Sequence, residues 1–392
     1  MAGVGLRPAR ADTGSGLSPW VSAPSLQIGV AGPVVVQTKG VVRAIGGVAT
    51  PYSDSHVYTQ AFDPSVAHPA WTLEGNFTYN TSHQGMAGAA LPDGRIIVEP
   101  GATNQTPDWY TEQAFIGRSY TYDPASQGWA GGTPPQYLYY PPLGQYRSSA
   151  VMASDGNVYF VGGDLTNSHA GRAVVRFTTT TGLWDRVAAL PRGAIGAAVV
   201  ADGAGHIYAI GGQADSVDQT TVHFLPYAYV YDVTSPASGW QSIPSLPHAL
   251  GAAAAVMGPD GMIYVMGGED ASGGLASVYA LNPLNPGPTG TWVEQSSLPQ
   301  PVADAGATIT SDGHVYLVGG TPNGLRIGYP DFRALATVYT ATIASPGTSG
   351  SGAAGVSTPE LPAGDLAALA ALPCVALIWQ RRRQVHPRPR LQ

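Results

Sequence analysis

Five charged or titratable residues stand at comparable points of this chain, each a little ahead of a short apolar segment: His83, Arg147, Arg192, His248 and Asp304. Arg147 and Asp304 share one spacing. Each lies eight residues before the Asp of an Asp-Gly pair, Asp155 and Asp312 respectively. Mixed charge of this kind suits recognition of hydroxyls or of a carboxylate through charge-assisted hydrogen bonds. A second set is aromatic. Trp109, Tyr110 and Phe115 fall in one long irregular stretch, and Tyr137, Tyr139, Tyr140 and Tyr146 in the next. Rigid amphipathic rings give a large contact area at low entropic cost, and they stack on sugar or peptide surfaces. The alternatives are that the tyrosines pack two Pro-Tyr-rich loops on each other and that the charged set is solvated.

Other chemistry has little to work with. The one cysteine, Cys374, lies near the C-terminus, so the body of the chain has neither a disulfide framework nor a thiolate metal site. No His-x-x-x-His or Asp-x-Asp cluster argues for a metal. We therefore expect no metal and no cofactor, and assign no catalytic residue. His206 and His314 look like a pair. They occupy the position that Asn157, Met262 and Arg95 hold elsewhere, just after a turn glycine, and read as solvated residues at the start of a strand. The Asn-x-Ser/Thr sequons at Asn76, Asn80 and Asn104 would be incidental in a bacterial protein.

The elements that must position these residues repeat. DGMIYVMGG (260–268) is a tight turn, a short apolar strand and two glycines. It recurs as DGNVYFVGG (155–163), AGHIYAIGG (204–212) and DGHVYLVGG (312–320), with degraded copies KGVVRAIGG (39–47) and DGRIIVEPG (93–101). The closing glycines, from Gly47 to Gly320, are 54, 62, 49, 56 and 52 residues apart. A period of roughly 50 residues means a propeller or an array. Each copy is followed by a loop, a Tyr-rich strand and a Trp, as in SYTYDPASQGW (119–129) and AYVYDVTSPASGW (228–240). Leu-Pro often comes next, at Leu190, Leu246 and Leu298.

Di-glycine, a Tyr-rich strand and a spaced Trp together resemble the kelch repeat over nearly all of residues 20–344. The sixth copy has no Trp of its own, whereas Trp20 stands near the N-terminus with no repeat before it. Six di-glycine sites then match six tryptophans: Trp20, Trp71, Trp129, Trp184, Trp240 and Trp292. The expected fold is all-β, a six-bladed kelch-type propeller over 17–345 whose N-terminal strand closes the last blade. Closure removes an open sheet edge that would template aggregation. In such a blade the Asp-Gly turns emerge on one face. The loops after the di-glycines, and those between blades, emerge on the other. Long loops concentrate there, at 102–118, 134–146 and 213–227. Long loops on a rigid scaffold are where binding usually sits.

The remaining segments are expected to be a disordered leader (1–16), a flexible Gly/Ser linker (346–358) and a C-terminal tail (359–392). The N-terminus lacks the apolar core of a signal peptide, although Ala9-Arg10-Ala11 has the look of a cleavage site. One alternative is a start site upstream of Met1. The tail holds Leu-Pro-Ala-Gly-Asp, an apolar run from Leu366 to Trp379 expected to be helical, and Arg381-Arg382-Arg383. Its layout resembles bacterial cell-surface sorting signals. Gly364 stands where sortase substrates carry Thr, which points to a different sorting signal or a plain membrane anchor. With the basic end inside, the propeller lies outside the cell. Five of the 18 basic residues and two of the 25 acidic ones fall in the last 35 positions. The body is therefore acidic, which excludes nucleic acid as a natural partner.

The function expected is recognition of a glycan or protein ligand at the cell surface by a membrane-anchored monomer. Ligand contacts are assigned to Trp109, Tyr110, Tyr137, Tyr139, Tyr140, His83, Arg147, Arg192, His248 and Asp304. The resemblance implies an alternative, since exported six-bladed kelch proteins include sialic acid epimerases. That would make the chain a sugar-modifying enzyme. A galactose-oxidase-type copper site is excluded because it needs a cysteine. The Ser-Asp-Gly triplets at Ser154 and Ser311 lack the spacing and Trp of sialidase boxes. A surface spacer without a ligand is the third reading.

Overall fold

In every copy of the repeat the apolar segment after the turn is a strand buried along almost its whole length. Examples are Val158–Val161, Ile263–Met266 and His314–Val318. A strand covered on both faces reads as a continuous apolar run rather than an alternating one. What covers these strands is the neighbouring blade on each side. In the computed structural model, residues 16–49, 57–75, 83–99, 102–103, 119–132, 147–163, 171–215, 222–283, 291–324 and 333–345 are described. The chain divides into units Met1–Ser349 and Gly350–Gln392. The expected linker, the tail with its apolar run, and nearly all of the leader lie outside the described residues. Among the described residues no helix is long and apolar enough to cross a membrane.

The fold is an all-β propeller of six four-stranded antiparallel blades. Their innermost strands are Val34–Thr38, Ala87–Ala90, Ser149–Met152, Ala198–Ala201, Ala254–Met257 and Gly306–Ile309, for blades one to six. Each innermost strand touches the innermost strands of both neighbouring blades, and Gly306–Ile309 touches Val34–Thr38 to complete the ring. Blade six is built from both ends of the chain. Val21–Ala23 pairs antiparallel with Val338–Thr342, with Ser22 opposite Tyr339. Leu17 bridges Ile343, and Ser18 exchanges hydrogen bonds with Thr342 through its backbone N–H (2.8 Å) and its Oγ (2.9 Å). Trp20 is buried in the apolar core of blades five and six. The N-terminal strand closes the last blade, as the misplaced Trp implied.

The repeat motif is explained by what it joins. The N–H of the second glycine donates to a backbone carbonyl of the next blade: Gly268 to Val302 (2.9 Å) and Gly320 to Val30 (2.8 Å). The first glycine sits in the left-handed region (Gly267 φ 63°, Gly319 φ 69°). A Cβ there would collide with that same carbonyl oxygen. Only glycine meets both demands. The Tyr of the motif is buried on its strand and satisfies its hydroxyl at the turn. Tyr159 donates to Asp155 (2.8 Å), Tyr264 to Asp260 (2.7 Å) and Tyr208 to Asp202 (3.1 Å). In blade one Arg43 takes the Tyr position and forms a two-pronged pair with Glu74 (2.9 and 3.1 Å). Three of the spaced tryptophans tie blades together. Trp71 Nε1 donates to Pro24, Trp240 to Ala188 and Trp292 to Pro244, at 2.8–2.9 Å.

Deleting residues 1–26 removes the fourth strand of blade six and the buried Trp20, and exposes an unpaired edge. We expect the truncated chain to melt at lower temperature and to form aggregates in gel filtration. An unchanged melting curve would show that the strand contributes nothing to closure.

Candidate functional site

The channel axis is ringed by one residue from each blade, at the point where the chain turns into the innermost strand. These are Gly32, Gly85, Arg147, Gly196, Ala252 and Asp304, with φ of 65°, 62°, 57°, 59°, 54° and 50°. Five backbone hydrogen bonds run round the ring. Arg147 donates to Gly85 (3.0 Å), Gly196 to Arg147 (2.8 Å), Ala252 to Gly196 (2.8 Å), Asp304 to Ala252 (2.9 Å) and Gly32 to Asp304 (2.6 Å). A left-handed backbone costs a residue with a Cβ about 1–2 kcal/mol. Three blades avoid that cost with glycine. Ala252, Arg147 and Asp304 accept it, and the last two are charged.

Their side chains meet. Arg147 Nη2 donates to Asp304 Oδ1 at 2.6 Å and to Glu269 Oε1 at 3.4 Å, and Nη1 donates to Gln213 Oε1 at 3.2 Å. Gln213 Nε2 also donates to Glu269 Oε1, at 2.5 Å. The four groups come from blades three, four, five and six, and all are buried. The starts of all six innermost strands line a cavity of about 160 Å³, and Arg147, Ser148 and Asp304 are in its wall. Ser148 is buried, and its hydroxyl has no hydrogen-bond partner among the described residues. Burial pushes the Glu269 carboxyl above its ordinary value. The positive charge of Arg147 opposes that shift and the Asp304 carboxylate adds to it.

Of the residues singled out from the sequence, Arg147 and Asp304 are brought together at the channel. Their shared spacing ahead of the turn is the shared ring position. Arg192 and His248 are exposed and do not line the cavity. Each follows a Leu-Pro whose leucine is buried (Leu190, Leu246), which turns the next side chains outward. Arg192 lies over the Tyr227 ring, 4.6 Å from its centroid. His248 Nε2 pairs with Asp270 Oδ2 at 2.6 Å. His83 is in a short strand paired with Thr103. Trp109, Tyr110, Tyr137, Tyr139 and Tyr140, with Phe115 and Tyr146, lie outside the described residues. Glu269, Gln213 and Ser148 were missed. Gln213 and Glu269 directly follow the di-glycine, a position held by Val48 and Thr321 in other blades. The longer polar side chains at that position, against Val48 and Thr321, were the available signal.

On the opposite face a second hollow, of about 280 Å³, is lined by Lys39, Arg43, Asp93 and Asp123 among others. Arg43 is committed there to Glu74 and Thr38, and Asp93 to Arg95.

The raised Glu269 value has a consequence for stability. The folded state binds more protons than the unfolded chain at pH values between the ordinary 4.5 and the raised value. This contribution to stability is therefore lost as pH rises through that window, and stays lost above it. Glu269→Gln has no such dependence. Chemical denaturation across a pH series should show the variant gaining on the natural protein as pH rises. A constant difference would mean that Glu269 titrates alike in the folded and unfolded chain.

The kelch motif matches residues 251–299, which span blade five. No curated protein matches the sequence. Among solved structures, that of YjhT superposes with a TM-score of 0.62 over 80% of this chain and 95% of that one, at 15% identity. At that identity the likeness is one of fold. With the motif matched in blade five and its architecture repeated round the ring, the chain is a six-bladed kelch-repeat β-propeller.

Proposed function

We propose that the protein is a recognition module that binds a glycan or protein ligand on the face of the propeller where the channel opens beside Arg147, a glycan being the better fit. The observation that carries this reading is the convergence of Arg147, Gln213, Glu269 and Asp304 from four blades into one hydrogen-bonded cluster, of which Arg147 and Asp304 line the central cavity. A few convergent polar groups in a preformed concavity are the usual make-up of a ligand site. Donors and acceptors alternate in this cluster, which suits hydroxyls. Trp109, Tyr110, Tyr137, Tyr139 and Tyr140, expected from the sequence to lie in loops of that face, would supply stacking surfaces. Display at the cell surface rests on the tail alone, through its apolar run and its arginines.

A glycan array probed with the full chain tests this. Discrete hits are expected, weakened at least tenfold by Trp109→Ala or by Arg147→Ala, as for loss of a stacking ring or of a charge-assisted contact. Unchanged binding in both variants would place the ligand elsewhere. An empty array would remove the glycan reading.

One observation favours a second reading, a sugar-modifying enzyme of the kind the kelch resemblance suggests. Glu269 is buried and its carboxyl is pushed above its ordinary value. A carboxyl raised in this way is better placed than an ordinary one to act as a general acid. Under this reading Glu269→Gln abolishes turnover of a bound sugar, followed by NMR of its ring protons, and leaves its affinity within about threefold. Turnover that survives the substitution would exclude Glu269 as the proton-transfer group.

A further inference from the structure

Arg192 stands outside the central cavity, yet it is held in place. Its guanidinium lies over the Tyr227 ring, 4.6 Å from the centroid, and it makes no hydrogen bond or ion pair with a described residue. Arg172 is held close by. Its Nε donates to the Leu190 carbonyl at 2.6 Å, and the Leu190 N–H donates to the Arg172 carbonyl at 2.8 Å. Its terminal nitrogens have no partner among the described residues. Both side chains are exposed. Elsewhere Arg43, Arg95, Arg147 and Arg176 are each held by an acid, which offsets the charge. An aromatic face and a backbone carbonyl fix Arg192 and Arg172 with no counter-charge.

These residues belong to the face where the channel opens. Arg172 comes just before Val174–Thr178 and Tyr227 just before Ala228–Asp232, strands that run away from that face, and Arg192 shortly precedes Gly196 of the ring. Tyr229 stacks on Tyr227, with centroids 6.4 Å apart. Burial raises the Tyr229 hydroxyl above its ordinary value and the Arg192 charge opposes that rise, so the cation is within electrostatic reach of both rings. Both rings are half-buried, and neither hydroxyl has a hydrogen-bond partner among the described residues. A guanidinium seated on an aromatic ring keeps its N–H edge free, and that planar fork matches a carboxylate. Tyrosine hydroxyls beside it both donate and accept, which suits the hydroxyls flanking the carboxylate of a sugar acid. An acidic peptide offers carboxylates without such neighbours.

We propose that Arg192 and Arg172, with the hydroxyls of Tyr227 and Tyr229, form a contact zone for a uronate-bearing oligosaccharide at the junction of blades three and four, outside the central cavity. The inference rests on glycan recognition by this face, as in the preceding subsection, and it adds the class of glycan. Two guanidiniums anchored at one segment, 190–192, suit a chain that carries more than one carboxylate. The body of the chain is acidic, but charges more than about 8 Å away are largely screened at physiological salt. The contact cations therefore decide whether an anion stays.

Calorimetric titration of the full chain with tetragalacturonate, maltotetraose and a tetraglutamate peptide, at one ionic strength, tests it. Tetragalacturonate is expected to bind at least tenfold more tightly than either of the others, as for a charge-assisted contact. Arg192→Ala should lower its affinity about tenfold for the same reason. The melting temperature should hold, since an exposed side chain without a polar partner is removed. Arg192→Lys keeps the charge without the fork and should restore only part of the loss. Tyr227→Phe keeps the ring beneath the guanidinium and should cost about threefold, the value of one neutral hydrogen bond. Maltotetraose binding as tightly as tetragalacturonate overturns the acid selectivity. Tetraglutamate binding as tightly overturns the glycan and assigns the zone to acidic peptides, and unchanged affinity in Arg192→Ala overturns the zone itself. Each of these leaves glycan recognition at the channel mouth standing if arrayed glycans bind and Arg147→Ala weakens them. No titrant binding beside a positive array also overturns the zone, while no binding in either assay overturns both proposals.

Discussion

Six strand edges converge on one axis, and the rest of the molecule is arranged around that crowding. Side chains near the axis have little room. A Cβ on Gly88 would come within 2.9 Å of Val34 Cγ1 and 2.7 Å of Ile97 O. A Cβ on Gly306 would run into Val35 and lie 2.8 Å from Pro33 O. Small residues in the innermost strands follow from this, as does the left-handed turn by which each strand leaves the axis. The ring also has to be closed where the chain is not continuous. Three sets of contacts meet at that seam: Val21–Ala23 in blade six, Gly320 on Val30, and Gly32 on Asp304. All three use the N-terminal segment, so closure and the shape of the channel mouth depend on the same few residues.

The near-symmetry of the scaffold makes its departures informative. Five of the ring's backbone links are of one kind, yet the side chains around it differ sharply. Four blades place Gly32, Gly85, Gly196 and Ala252 there and two place Arg147 and Asp304, which Gln213 and Glu269 join from another position of blades four and five. Stability does not account for that choice. Removing charges from water costs several kcal/mol each, and apolar replacements of buried ion pairs are often as stable or more so. Two of the four residues also carry backbone strain that glycine would relieve. The cluster is costly in both respects, and two of its members, Arg147 and Asp304, stand in the wall of the central cavity.

The di-glycine period, the Tyr-rich strands and the six spaced tryptophans were legible in the chain because each has a local cause: a tight turn, a carbonyl approached too closely for a Cβ, a ring clamped on the preceding blade. Blade number and ring closure could be read from them, since Trp20 had no repeat of its own to belong to. Part of the site was legible for the same reason. Arg147 and Asp304 occupy one position of the period, and a shared position in a closed ring means a shared radius from the axis. The tertiary structure decided the rest. Gln213 and Glu269 follow the di-glycine, and nothing local tells that this position turns toward the axis. Arg192 and His248 looked equally well placed, but Leu190 and Leu246 took the buried side and turned them out. The pairing of Arg147 with Asp304, 157 residues away in sequence, exists only because the ring closes. The chain alone therefore determined which positions lie at equal distance from the axis, because the repeat encodes that. Which side chains meet across the axis was settled by the angular order of the blades, which no local stretch of sequence contains.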